Sequence, residues 1–181
     1  MRVRLEAASG APVFAYATLG STMDEAARLL GQGVPHGTCV IAASQTGGRG
    51  RLGRAWASPP GHLYLTQIWR LSCPADRAPS ATLEAGVAMA EAIEVSTGLR
   101  PTLKWPNDVQ LGGLKCAGIL ASLVSASLSG STVLIGVGLD VAPLGPEHEG
   151  LSATSLSDCL GAEVELADVA VAVVGQLAER G

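Results

Sequence analysis

Along residues 62–71, HLYLTQIWRL, the apolar positions Leu63, Leu65 and Ile68 stand among polar and amphipathic neighbours. That spacing predicts a half-buried strand. PVFAYATL (12–19) and TCVIAAS (38–44) predict two more strands, the second compact and buried. Between them Thr22-x-x-Glu25 has the form of a capping box ahead of AARLLGQG, a short helix closed by glycine. The longest helical pattern is APSATLEAGVAMAEAIEVSTG (78–98), rich in Ala and ended by Gly98. RPTLKW (100–105) predicts a strand broken by Pro106, and DVQL, Gly112-Gly113 and LKCAGILASLVSASL predict a hairpin with a tight glycine turn. STVLIGVGLDV (131–141) predicts a buried strand. A Pro/Gly/Glu loop (142–150), TSLSDCLG and an amphipathic helix, ELADVAVAVVGQLAER, complete the chain. Strands in groups, joined largely by hairpins with helices between them, favour an α+β fold with a largely antiparallel sheet over a doubly wound parallel one.

The composition narrows this picture. A length of 181 residues fits one domain over 1–181, and 48% hydrophobic content supplies a core made mostly of Ala, Val, Leu and Ile, since aromatics are only 3%. A net charge of −4 argues against a general DNA binder, whose footprint is a basic face. The scattered Cys39, Cys73, Cys116 and Cys159 form no C-x-x-C pair, so they suit neither a zinc site nor a disulfide framework. No apolar run approaches the ~20 residues that span a bilayer, and the N-terminus lacks a continuous apolar core for a signal peptide. Reduced thiols and these absences place the protein in the cytoplasm.

Four segments carry candidate chemistry. The loop SQTGGRGRLGRAW (44–56) sets Arg49, Arg51 and Arg54 among glycines in an acidic chain. Glycines let backbone N–H groups approach an anion, and guanidinium groups bind phosphate or carboxylate bidentately. A solvated surface loop is the plain alternative. Neither a P-loop nor a dinucleotide fingerprint is present. KWPNDV (104–109) is either a Pro-Asn-Asp turn or a set of hydrogen-bonding and metal-binding side chains. In GLKCAGIL, Lys115 interrupts an apolar stretch, as a strand-end lysine or as the partner of an anion. In GSTMDEA (20–26) the helix cap accounts for Thr22 and Glu25 but leaves Ser21 unexplained.

Taken in order, GSTMDEA, QTGGRGRLGRAW, KWPNDV with LKCAGIL, and IGVGLDV resemble the catalytic domain of the biotin–protein ligases over roughly residues 12–180. The resemblance implies a mixed sheet with helices packed on one face, similar to class II aminoacyl-tRNA synthetases. It implies ATP-dependent activation of biotin to biotinyl-5′-AMP, with Mg²⁺ accompanying ATP. Transfer to a lysine of a biotin carboxyl carrier protein follows. Ser21, Thr22 and Gln45 then fall at the ureido ring, and Arg49 and Gly50 line the biotin site. Arg51 holds the intermediate, and Lys115 meets first the biotin carboxylate and then the acyl phosphate, making these two the catalytic pair. Arg51, Arg54, Asn107 and Asp140 serve the nucleotide, Asp108 is the candidate Mg²⁺ ligand, and Lys104 lies nearby. Trp56 is given a packing role at the far end of the loop. The cysteines, with His36, His62 and His148, become bystanders at surface or loop positions.

Met23 and Asp140 depart from the family pattern, which usually shows Asn at both places. No segment before residue 12 has room for a helix-turn-helix domain and no small C-terminal β-barrel is expected, so the chain reads either as a minimal ligase or as a fragment. DNA binding is not expected. Homodimers through sheet edges occur in the family. The alternatives are a lipoate or octanoate ligase or transferase of similar fold, and a non-catalytic biotin-binding protein. The first normally shows an Arg-Arg-x-x-Gly-Gly-Gly loop followed by His, and the loop here lacks that His.

Overall fold

A computed structural model describes residues 1–72, 80–128 and 130–181. Its elements run α1 (Arg2–Ser9), β1 (Val13–Leu19), α2 (Thr22–Leu30), β2 (Cys39–Gln45), β3 (Leu63–Leu71), α3 (Ser80–Thr97) and β4 (Thr102–Lys104). They continue with β5 (Asp108–Leu111), β6 (Leu114–Ala126), β7 (Ser131–Leu139), α4 (Leu156–Leu160) and α5 (Leu166–Ala178). Single 3-10 turns occupy Arg51–Gly53 and Pro146–His148.

The seven strands form one sheet in the order β1-β2-β3-β7-β6-β5-β4. Among the described residues only β1 and β2 are neighbouring strands that run parallel; the other neighbours are antiparallel. The glycine turn between β5 and β6 behaves as its sequence requires. Gly112 and Gly113 have φ of 58° and 84°. Left-handed backbone at both central positions is what a two-residue hairpin turn demands, and glycine adopts it without a Cβ clash.

Two apolar layers flank the sheet. On one face α1, α3 and α5 bury Leu5, Met89, Ile93, Val169 and Val173 against Leu65, Trp69, Ile135 and Leu139. Each such side chain contributes about 1.5–3 kcal/mol by leaving water. The opposite face carries the smaller α2, whose Ala26 and Leu29 meet Val40, Ile68 and Leu134. One-sided helix packing therefore holds for α1, α3 and α5, with α2 the exception. Because α2 covers only part of its face, the rest stays open.

Several expectations need correction. No element was foreseen before residue 12, yet α1 is helical; its burial is confined to Leu5 and Ser9, too sparse for an apolar period. The strand β3 is buried on both faces from Leu63 to Trp69, not half-buried. Its polar residues are satisfied internally: the Trp69 indole donates to Gln67 Oε1 at 2.7 Å, and the Tyr64 hydroxyl to the Pro59 carbonyl at 2.7 Å. The α2 cap is Ser21, whose Oγ accepts from Met23 N at 3.3 Å. Thr22 is instead drawn into a buried network, while Glu25 binds Tyr16 and Arg28. The first residues of the helix expected over 78–98, and Cys73, lie outside the described residues. Among the described residues no helix is long and apolar enough to cross a membrane.

Candidate active site

The open half of the α2 face is floored by glycine. The pairing of β6 with β7 sets Gly118 opposite Gly138 and Leu120 opposite Gly136. These positions leave room at the sheet surface, and two large side chains use it. A Cβ on Gly138 would lie 2.5 Å from Trp56 Cε2, and one on Gly136 would lie 2.8 Å from Met23 Sδ. Above this floor opens a cavity of about 490 Å³.

The arginine loop forms one wall as a small hairpin. Arg49 bridges Ala55, Trp56 N donates to the Gly48 carbonyl at 3.0 Å, and Gly50 N to the Arg54 carbonyl at 2.8 Å. Leu52 at its tip is 85% exposed with φ of 58°, a left-handed conformation that costs a branched side chain about 1–3 kcal/mol. Arg51, Arg54, Gly50 and Arg49 all line the cavity. The Arg51 guanidinium donates to Asn107 Oδ1 at 3.0 Å. Arg49 is paired bidentately with Asp24 at 2.9 and 2.5 Å, and this arginine holds the Asp24 carboxyl below its usual range. Asp24 was not anticipated, although it stands in the first turn of the helix that follows Ser21.

Lys115 lies over Gly118, beside Trp56. Its ammonium lies 2.7 Å from Asp108 Oδ1 and 5.0 Å from the Trp56 ring centroid, so it is paired with a carboxylate and stacked on an aromatic face. A register shift in the β5–β6 pairing places Lys115 opposite Gln110. One end of the cavity holds Ser21, Thr22, Met23 and Gln45. There Gln45 Oε1 accepts from Thr22 N and Oγ1 at 2.8 and 3.2 Å, and Gln45 Nε2 donates to Ser58 Oγ at 3.0 Å. The other end holds Asn107, Asp108, Asp140 and His148. Lys104 is exposed and not among the cavity residues.

His62 and His148 are corrected from surface positions to buried ones, 3% and 9% exposed. They flank Asp140, with His62 Nδ1 at 3.9 Å and His148 Nε2 at 3.7 Å from Oδ1. His62 Nδ1 already accepts from Val141 N at 3.1 Å, so the contact with Asp140 is no ion pair. Burial lowers the His62 pKa. Burial likewise pushes the Asp140 carboxyl from its ordinary 3.8 up to about 7, against an opposing pull from Lys115. The thiols of Cys39 and Cys116 are driven by burial to about 12, which suits inert core residues.

A pH dependence of stability follows. The folded chain binds the Asp140 proton more tightly than the unfolded chain, so this group's contribution to stability is greatest at low pH. It is lost as pH rises from 3.8 to about 7 and is level above. At pH 8 the buried charge costs about 2–4 kcal/mol. Asp140→Asn is expected to raise the melting temperature by several degrees at pH 8 and much less at pH 5. An equal gain at both pH values in thermal melts would contradict this.

Every candidate for the substrates thus gathers at one cavity, as do Trp56, Met23 and His148. The glycine floor was missed; its signal was the alternation in IGVGLDV and the Gly in CAGIL, which only the strand register makes adjacent. Among the described residues no group of three or more His, Cys, Asp or Glu stands together to hold a metal ion.

Residues 16–140 match the model of the Biotin/lipoate A/B protein ligase family. The bifunctional ligase/repressor BirA of Bacillus spizizenii is 36% identical over 155 residues, covering 83% of this chain and 48% of the relative. A biotin–[acetyl-CoA-carboxylase] ligase of Mycobacterium tuberculosis is 36% identical over 127 residues, covering 67% of this chain and 46% of the relative. The chain therefore spans about half the length of these relatives. Among solved structures, the Aquifex aeolicus biotin protein ligase in complex with biotin and ATP superposes with a TM-score of 0.77 at 30% identity, over 93% of this chain and 69% of that one.

Proposed function

The chain belongs to the biotin/lipoate A/B protein ligase family, and from that premise we propose that it activates biotin with ATP and passes it to a lysine of a biotin carboxyl carrier protein. The observation that carries this reading is the position of Lys115. Along the line of Gly136, Gly138 and Asp140, Met23 lies over the first glycine and Lys115 beside the Trp56 that covers the second. Lys115 thus stands between a neutral hydrogen-bonding end (Ser21, Thr22, Gln45) and an end rich in groups for a nucleotide (Asn107, Asp108, Asp140), with Arg51 and Arg54 lining the same cavity.

A ring with two N–H donors and a carbonyl suits the first end, because its hydroxyls and amide both donate and accept. The carboxylate then extends toward Lys115. In the first step a biotin carboxylate oxygen attacks the α-phosphorus of ATP, the bond to pyrophosphate breaks, and biotinyl-5′-AMP forms. Lys115 and Arg51 oppose the charge that develops on the phosphoryl oxygens. In the second step the carrier amine attacks the acyl carbon, loses a proton, and AMP leaves. Mg²⁺ is bound characteristically by one or two carboxylates together with substrate phosphates, and Asp108 offers one such carboxylate to the ion that accompanies ATP. Arg49 shapes the cavity through Asp24, and Gly50 keeps the loop backbone close to the ligand.

A cytoplasmic location belongs to the same reading, because the reaction consumes ATP and a carrier protein. A second copy of the chain would meet this one at a sheet edge, where, among the described residues, β6 beyond Ala121 pairs only with β7.

Purified chain incubated with biotin, ATP and Mg²⁺ is expected to yield biotinyl-AMP by mass spectrometry, with lipoate a poor competitor. Biotin binding without adenylate would mark a non-catalytic binder, and preferential lipoate binding would move the substrate to the other branch of the family.

A further inference from the structure

A carboxyl at the end of a cavity that receives phosphates is repulsive unless it is neutralised or neutral. Asp140 is 3% exposed, and among the described residues no hydrogen-bond donor reaches its Oδ1. From the residue before β3, His62 turns toward it an Nδ1 that already accepts a hydrogen bond from Val141 N. On β3, Tyr64 donates to the Pro59 carbonyl. On β6, the Cys116 thiol is directed at the Val109 carbonyl and Lys115 is held by Asp108. From the 3-10 turn, His148 brings Nε2 to 3.7 Å, beyond hydrogen-bond reach, while its Nδ1 lies 3.3 Å from Glu147 Oε1. Glu147 is thus a second carboxyl facing the same imidazole, and Asp158 on α4 adds negative charge near His62. Among the described residues, the groups around Asp140 withhold a hydrogen bond from its Oδ1 or add negative charge, and the Lys115 ammonium is committed to Asp108.

Resting on the nucleotide assignment above, we propose that Asp140 meets the nucleotide as a neutral carboxylic acid, donating one hydrogen bond and accepting another, and so selects a base edge that places a ring nitrogen beside an amino group. A protonated carboxyl has one donor and a remaining acceptor, whereas a carboxylate only accepts. The first pattern is that of a side-chain amide, which pairs bidentately with N6 and N7 of adenine. The second suits the N1–H and amino edge of guanine and repels phosphate. The enclosure thus lets an acid do the work of an amide, at the cost of binding that depends on pH.

The test is calorimetric titration of the full chain and of Asp140→Asn with ATP and with GTP, from pH 6 to pH 8.5. The ratio of the two proteins' dissociation constants cancels the titration of the nucleotide's own phosphates. With the carboxyl at about 7, ATP binding to the unaltered chain is expected to weaken relative to Asp140→Asn by about tenfold per pH unit above that value, while GTP loses less. Infrared spectra of the unaltered chain are expected to show a buried acid carbonyl band at pH 6 that fades as pH rises. That band needs no nucleotide and no folded variant. Parallel ATP profiles in the two proteins, or no acid band at pH 6, overturn the proposal and leave the ligase reading standing. If neither protein binds ATP at any pH, the nucleotide assignment falls and the proposal with it.

Discussion

Lys115→Ala is expected to slow biotinyl-AMP formation by about 10²–10³-fold, the usual loss when one preorganised electrostatic donor is removed from a reacting oxyanion. The fold should survive. The Lys115 and Asp108 side chains are 30% and 23% exposed, so water screens their pair. Such a pair contributes about 0–1 kcal/mol, and its loss should shift the melting temperature by only a few degrees. The stacking of the ammonium on Trp56 adds a similar small amount. Large catalytic loss with small stability loss separates a residue that acts in the transition state from one that merely holds the sheet together. Single-turnover adenylate formation beside a thermal melt makes the comparison. Activity within a few-fold of the unaltered chain would remove Lys115 from the mechanism.

Gly138→Val is expected to weaken nucleotide binding by about 10- to 100-fold, although no atom of the side chain it replaces touches a ligand. Even a single Cβ there would stand 2.5, 2.6 and 2.8 Å from three indole atoms of Trp56. Overpacking of this kind costs about 1–3 kcal/mol, and the cheapest relief is to lift the indole away. Trp56 Nε1 has no hydrogen-bond partner, so no hydrogen bond from the indole holds the ring against that movement. Once lifted, the ring no longer roofs Gly118 or faces Lys115. Nucleotide titration beside the difference in emission between Gly138→Val and Gly138→Val/Trp56→Phe reports both effects. Unchanged affinity with a red-shifted Trp56 would show that the seat of the indole does not matter for binding.

Much of the sheet was legible because strand alternation and glycine turns act locally. The β5–β6 hairpin could be placed from Gly112-Gly113 alone. Errors arose where tertiary partners changed a residue's role. Thr66 and Gln67 look like solvent-facing positions of β3, yet Thr66 donates to Thr22 and Gln67 receives the Trp69 indole. Thr22 looks like a cap, but its hydroxyl is claimed by Thr66 and Gln45, and the cap passes to Ser21. Among the site residues, the arginines and Lys115 were visible as charges out of place in glycine-rich or apolar sequence. His62 and His148 were not, because what makes them noteworthy is a carboxyl at position 140 that only the fold brings beside both.

The network at Gln45 also bears on the thermodynamics of association. Thr66 donates to Thr22, Thr22 to Gln45 Oε1, Gln45 Nε2 to Ser58 and Ser58 to the Trp56 carbonyl, so each link in the series has one sense. With its oxygen and nitrogen ends both committed, the amide cannot rotate by half a turn without breaking the series. A side chain like Gln normally surrenders up to about 2 kcal/mol of rotational freedom when it is fixed. Here that ordering is completed when the chain folds, before any ligand arrives. Recognition at this end should therefore carry a small entropic penalty, and the ligand should encounter the same orientation of donors at every collision.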